Sequence, residues 1–598
     1  MEKDLNLITG ASDVLWQLED LYKDPHDPQI EKDLDFCVSE ANAIREKYSG
    51  HLAELDAKEF LELVKRLENL SERLGKVSAY AFLNFATKSN DPEAGAFLQK
   101  IKEMASQISK ELVFFELEWA NLPDSKANEL LDDPALSHYR HYLKSLRRYK
   151  PHLLTETEER LLAELSPVGR SSWINLFDKV LAHQRYGPNQ RTQEEVLKDL
   201  YMPDRKIREQ ASKELTEGLK QELLVFTHTF NVVLADKMIE DRLRKYPQWI
   251  SSMNLANELR DETVDALINS VTSRYDIVER FYLLKKRLLG LDELLDYDRY
   301  APLPWLPQRT VSWNEAKEIV LNSFRKFSEE IAEIAALFFE KKWIHAPVLP
   351  GKTGGAFAHP VTPSAHPYVL VNFTGTLRDV ETLAHELGHG VHQVLAAEKG
   401  YFNAETPLTL AETASVFGEM LVFQDILNTL QDPREKLGFT AAKIESIFAT
   451  VFRQIAMNRF EDAIHNHRRR EGELAPETFS DYWMDTQQQM FGKSVRLTEN
   501  YRVWWSYISH FLHVPGYVYS YAFGELLVLS LYGLYQEEGE SFPPKYIELL
   551  KSGGSKDPYE VLQPFGIDLG DHQFWHKGLS IIENMVQEAE DLAKQAQC

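Results

Sequence analysis

Along most of this chain apolar residues recur every three to four positions, and that period limits the possible folds more than any other feature of the sequence. In residues 59–74 they fall at Phe60, Leu63, Val64, Leu67, Leu70 and Leu74, with charges between them. This is the stripe of a helix that buries one face. The same period predicts helices over 261–289, 314–343, 481–491 and 546–552, the last stopping at Gly553-Gly554. Pro151, Pro167, Pro203, Pro302, Pro304 and Pro307 fall between helical stretches and read as breaks. One region departs from the pattern. Residues 346–376 gather Pro347, Pro350, Gly351, Gly354, Gly355, Pro360, Pro363 and Pro367 around the β-type run Tyr368-Val369-Leu370-Val371-Asn372-Phe373. The expectation is a mainly α protein with a small, irregular β-sheet.

With 598 residues, 43% of them hydrophobic, the chain can bury a large core. Its net charge of −25 opposes binding to phosphate backbones and to anionic membrane surfaces. No apolar run is long enough to span a bilayer, and residues 1–22 lack the basic start and apolar stretch of a signal peptide. The two cysteines, Cys37 and Cys598, exclude a disulfide framework and a cysteine-held metal, and they fit a reducing compartment. The expectations are therefore a cytoplasmic protein, no nucleic acid, no membrane and no obligate protein partner.

The run His385-Glu386-Leu387-Gly388-His389 carries the chemistry. Positions i and i+4 of a helix share one face, so both imidazoles can reach one Zn²⁺ at about 2.1 Å. Glu386 beside them can take a proton from an attacking water. The surrounding Thr382, Leu383, Ala384, Val391, Val394 and Leu395 make the helix mostly apolar. Two histidines and a glutamate buried there would be costly without a function.

A catalytic zinc needs a third protein ligand. Downstream carboxylates are Glu398, Glu405, Glu412 and Glu419. Glu398 points poorly and Glu405 falls in a loop. Glu412 and Glu419 lie seven apart on an expected apolar helix over 408–430 and share a face. Either can be the ligand, leaving the other to hydrogen-bond a ligating histidine. His392 reads as packing or as such a supporting contact. His359, His366, His465 and His467 read as structural or surface groups.

The stretch Thr382-Leu383-Ala384-His385-Glu386-Leu387-Gly388-His389 resembles the zinc helix of the oligoendopeptidase F family, relatives of thimet oligopeptidase. Ala411-Glu412-Thr413-Ala414-Ser415 is similar to that family's third-ligand segment, which selects Glu412 and leaves Glu419 as the supporting carboxylate. Gly354-Gly355-Ala356-Phe357 and Asn372-Phe373-Thr374-Gly375-Thr376-Leu377 resemble its substrate-lining loop and strand, which implies that Gly354, Gly355, Ala356 and Asn372 bind substrate. The run 513–524, His513-Val514-Pro515-Gly516-Tyr517-Val518-Tyr519-Ser520-Tyr521-Ala522-Phe523-Gly524, resembles its His/Tyr-rich segment, with one residue fewer between His513 and the first tyrosine than in thimet oligopeptidase. Residues 141–181 resemble its N-terminal helical region. The resemblance implies a two-lobed helical molecule with a deep substrate channel, one zinc ion per chain, and cleavage of internal bonds in short oligopeptides.

On this reading Glu386 is the general base, and His513, Tyr517 and Tyr521 donate to the oxygen on which charge develops. Tyr519 and His510 stay between function and packing. The strand over 368–373 offers an edge to which an extended peptide can add. Gly187-Pro188-Asn189 suggests a boundary near 190–205, giving an N-terminal helical cap over 1–200 and a catalytic region over 201–598. The rivals are a zinc carboxypeptidase or dipeptidyl carboxypeptidase, for which Arg496 and Arg502 are candidate carboxylate binders, and an inactive helical peptide-binding protein.

Overall fold

Several helices in this chain start where a short oxygen-bearing side chain accepts an otherwise unpaired amide. Asp56 and Glu59 form a reciprocal capping box at the head of helix Ala57–Ala86, and Thr192 with Glu195 does so for Gln193–Asp199. Ser328 ends helix Trp313–Phe327 and caps Glu329–Glu340, so the expected helix over 314–343 is two. The stretch 261–289 likewise divides into Asp261–Thr272 and Tyr275–Leu288, while Pro476–Phe491 and Phe542–Lys551 cover the other two predictions. The computed structural model describes residues 2–305 and 309–597, so Pro307 and Cys598 lie outside the described residues. Among the described residues no helix is long and apolar enough to cross a membrane.

The chain divides into two compact units, each assembled from three segments. The first comprises 1–150, 308–428 and 534–567, and the second 151–307, 429–533 and 568–598. This division by packing interleaves along the sequence.

In the first unit, helices Pro28–Tyr48, Ala57–Ala86 and Pro92–Asn121 bury a core that includes Leu63, Val64, Phe115 and Trp119. A second core joins Trp16, Tyr22 and Tyr80 to Tyr368 and Leu370 of the sheet. The sheet has three short strands, β1 (Ile344–His345), β2 (Phe357–His359) and β3 (Tyr368–Leu370), in the order β1-β3-β2. β3 pairs parallel with β1 and antiparallel with β2. Both its edges are filled, and that corrects the expectation that a peptide adds to the 368–373 strand. The edges of the sheet are the outer sides of β1 and β2. Lys352 braces the loop beneath, its Nζ donating to the carbonyls of His345, Pro347 and Val371 at 3.1, 2.8 and 2.6 Å.

The second unit is helical, with Leu223–Leu243, Phe452–Arg470 and His572–Gln595 among its longer members. Its centre is aromatic: Phe230 meets Phe479, Trp505 and Phe511 edge to face.

Candidate metal centre

Helix Leu377–Ala396 carries the two histidines. Thr376 caps it, and Asp379 closes the box while also accepting from the amide and hydroxyl of Thr374. Val380, Leu383, Ala384, Leu387 and Val391 bury one side of the helix. His385 and His389 share an adjacent face, with ring centroids 4.9 Å apart and nearly perpendicular planes, and both remain half-buried.

The next element differs from the sequence expectation. Residues 408–430 are not one helix: Leu408–Ala411 ends, Glu412 stands at the break, and Thr413–Thr429 follows. Two glycines let this segment approach the histidine helix. A Cβ on Gly388 would lie 2.4 Å from the Ala414 carbonyl oxygen and 2.6 Å from Ser415 Cα. One on Gly418 would lie 3.2 Å from the Ala384 carbonyl oxygen. At the Gly388 separations any side chain would push the two backbones apart. Tyr546 anchors the break from below, its buried hydroxyl donating to the Thr413 carbonyl at 2.7 Å.

The close approach delivers Glu412 Oε2 to 3.4 Å from both His385 Nε2 and His389 Nε2. These three donors all lie within 4.8 Å of one another. Ligands at about 2.1 Å on a tetrahedral ion are about 3.4 Å apart, so the donor set fits Zn²⁺. Ser415 Oγ donates to Glu412 Oε2 at 2.6 Å, and His385 Nδ1 hydrogen-bonds Glu419 Oε2 at 3.1 Å. The second contact fixes which His385 nitrogen faces the site.

Electrostatics agrees. Burial alone would lower the His385 pKa, but the hydrogen bond to Glu419 and the charges of Glu412, Glu419 and Glu386 raise it to about 9. Burial opposes ionisation of Glu412, yet the hydrogen bond and charge of His389, with His385 and Ser415, hold it down at about 2. Burial pushes Glu386 above the usual carboxylate range. Three carboxylates against two imidazoles make a site that favours positive charge, which a divalent cation answers. His392 is absent from this set: it is buried, 3.3 Å from Thr406 Oγ1, and burial lowers its pKa to about 3.

A family model described as peptidase family M3 matches residues 199–581, and one described as Oligopeptidase F matches 118–186. The chain belongs to peptidase family M3. It is an enzyme of the metallo-oligopeptidase kind. Oligopeptidase PepF of Bacillus subtilis is 28% identical over 99% of this chain and 89% of its own length. A solved structure from Chlamydophila abortus superposes with a TM-score of 0.86 at 24% identity, covering 97% of this chain and 98% of that one. Oligoendopeptidase-F from Enterococcus faecium superposes with a TM-score of 0.72 at 23% identity, over 94% and 98%.

The other residues of interest in this M3 chain fall into two groups. In the first unit, Gly354 and Gly355 face open space, with Gly355 at φ +77°, and Ala356 leads into β2. Asn372 spends both amide hydrogens on that loop, donating to the carbonyls of Thr353 at 3.0 Å and Gly355 at 2.8 Å. In the second unit, His513 Nε2 is 2.9 Å from Asp178 Oδ1, and His510 Nε2 is 3.3 Å from Tyr521 Oη. Tyr517 and Tyr521 meet edge to face at 5.1 Å. Tyr519 is buried and accepts from Asn257 Nδ2 at 2.9 Å, a packing role. His465 stacks on Trp249, His366 stacks on Trp343, His359 accepts from the Val361 amide, and His467 bonds Tyr482.

Sequence reading passed over the groups that hold 512–516 in place. Arg170 Nη2 donates to the carbonyls of Leu512 and His513, and the buried Glu461 accepts from the Gly516 amide at 2.8 Å. Asp178, Arg170 and Glu461 lie far from this segment in sequence, so no spacing marks them. Ser415 stood inside the quoted motif without a role.

Proposed function

We propose that this M3 peptidase is a zinc-dependent endopeptidase that hydrolyses internal bonds of short oligopeptides. The observation that carries this reading is the His385-His389-Glu412 donor set, with Glu386 buried beside it. His385, His389 and Glu412 hold the ion, one per chain, and Glu419 orients His385. Bound Zn²⁺ supplies Lewis acidity, polarising the scissile carbonyl and bringing the pKa of water towards about 7.

Glu386 takes the proton of the attacking water and passes it to the leaving amine. A carboxylate whose pKa burial has raised suits both halves of that transfer. His513, Tyr517 and Tyr521 donate to the oxygen that becomes negative, each worth about 3 kcal/mol in a dry site. The Gly354-Gly355-Ala356 loop, tied by Asn372, and the outer edge of β2 hold the peptide extended through main-chain hydrogen bonds, which read no particular side chain. The catalytic region is 201–598, supported by the M3 match over 199–581, and 1–200 is the N-terminal helical cap. The enzyme works in the cytoplasm on oligopeptides, without nucleic acid, membrane or an obligate protein partner.

Peptides blocked at both ends test this directly. Cleavage at internal bonds is expected. Peptides cut only when a free terminus is present would replace this reading with an exopeptidase.

A further inference from the structure

The second unit contains a cluster of two arginines and three tyrosines that the proposed chemistry does not use. Arg299 is engaged through its Nε and Nη2. Its Nε donates to the Asp296 carbonyl at 3.1 Å, and its Nη2 to the hydroxyls of Tyr300 and, at 3.3 Å, Tyr501. Tyr501 donates onward to Gln487 Oε1 at 3.3 Å. Arg299 also lies 4.2 Å from the Tyr300 ring centre and 5.5 Å from that of Tyr501.

Arg453, in the first turn of helix Phe452–Arg470, sits within electrostatic reach of Arg299, Tyr300, Tyr501 and Tyr507. Among the described residues it makes no hydrogen bond and no ion pair, and its Nε is sealed from solvent without a partner. The Tyr507 hydroxyl likewise has no hydrogen-bond partner among the described residues. Asp296 is the carboxylate within reach of Arg299, whereas Lys285 is taken by Glu445, and Asp298 by Arg205 and Arg208. Two guanidinium groups against one carboxylate leave surplus positive charge in a partly desolvated place. That arrangement is unfavourable unless an anion arrives.

We infer that Arg453 and Tyr507 form an anion subsite for a carboxylate of the peptide substrate, either its C-terminal carboxylate or an Asp or Glu side chain. The inference rests on the oligopeptidase reading above. A guanidinium offers a planar fork that matches a carboxylate, and a phenol adds a third donor. The charge of Arg453 also reaches His510, whose Nε2 bonds Tyr521, so the subsite borders the His/Tyr segment of the same unit. The arginines singled out in the sequence cannot serve. Arg496 is paired with Glu293 (Nη2 to Oε2, 2.8 Å), and Arg502 is paired with Asp481.

The test uses matched internally quenched peptides: C-terminal acid against amide, and internal Glu against Gln at successive positions. The wild-type chain is expected to favour the carboxylate member of at least one pair by about tenfold or more in kcat/KM, the scale of one charge-assisted hydrogen bond. The acid/amide and Glu/Gln arms identify the source. Arg453→Met and Tyr507→Phe are expected to lower that member towards its neutral partner and leave the neutral partner unchanged. A wild-type enzyme indifferent to every pair overturns the inference, as does an Arg453→Met variant that slows both members equally. Should Arg453→Met lose its cooperative melt, Tyr507→Phe and the wild-type pairs decide. Failure to cut any peptide would instead remove the peptidase reading. The subsite is then judged from binding of the same pairs, where equal affinities overturn it.

Discussion

The metal-ligand segment of the first unit and the His/Tyr segment of the second are built by opposite means. Around His385, His389 and Glu412 the backbone does the positioning. A helical turn spaces the imidazoles, and Gly388 against Ala414 and Ser415 sets how near the carboxylate comes. In 510–521 the irregular stretch 514–518 joins the single turn His510–His513 to helix Tyr519–Glu538, and side chains from elsewhere hold it: Arg170, Asp178, Asn257 and Glu461. A site set by backbone proximity tolerates almost no added volume. One set by side-chain contacts can lose a partner and degrade by degrees.

The sharpest break in this contrast comes from Glu386→Gln. It keeps the helix and the ligands but removes the base, so kcat should fall by about 10²- to 10⁴-fold with metal content unchanged. Wild-type turnover in that variant would remove Glu386 from the mechanism. Gly388→Ala should come next. The added methyl meets backbone atoms on the neighbouring segment, at an expected cost of about 1–3 kcal/mol in a thermal melt and a weakened hold on metal. An unchanged melting point and metal affinity would show that the helices are not in fixed contact.

In the second unit, burial pushes Glu461 from 4.5 up to about 8. Between those values the unfolded chain ionises this carboxyl while the folded chain keeps it protonated, so the wild type loses stability from this group as pH rises from about 5 to 8. Glu461→Gln keeps an acceptor for the Gly516 amide and cannot ionise. Its melting temperature relative to wild type should therefore climb across that range, and a flat difference would show Glu461 already ionised in the fold. The smallest effect is expected from Asp178→Asn. Asp178 and His513 are both exposed, so their pair is worth at most about 1 kcal/mol and kcat should fall by less than about tenfold. A larger fall would make Asp178 a partner in the chemistry rather than a support for His513.

The same contrast explains what the sequence could disclose. The i, i+4 pair and the stripe at Phe60, Leu63, Val64 and Leu67 are local periods, and the helices follow them. The break at Glu412 was not legible, because neither glycine nor proline stands beside it, and Gly418, the glycine of this stretch, lies inside the second helix. The hydroxyl of Tyr546, over a hundred residues away, caps it. The strand order was hidden as well: three strands of two or three residues are arranged by packing under Trp16, not by their own pattern. Glu412 and Glu419 were interchangeable by spacing alone, until the fold set one against both Nε2 atoms and the other against a Nδ1. Asp178, Arg170 and Glu461 carry no local signal, since each acts across tens to hundreds of residues.

Zinc content per chain, measured alongside cleavage of a doubly blocked peptide in the wild type and in Glu412→Ala, tests the central claim most directly. The account predicts one zinc per wild-type chain, with cleavage lost to a chelator and regained on adding zinc, and neither bound zinc nor cleavage in Glu412→Ala. A wild-type chain that cuts the peptide with no metal bound, or a Glu412→Ala chain that keeps both its zinc and its rate, would contradict it.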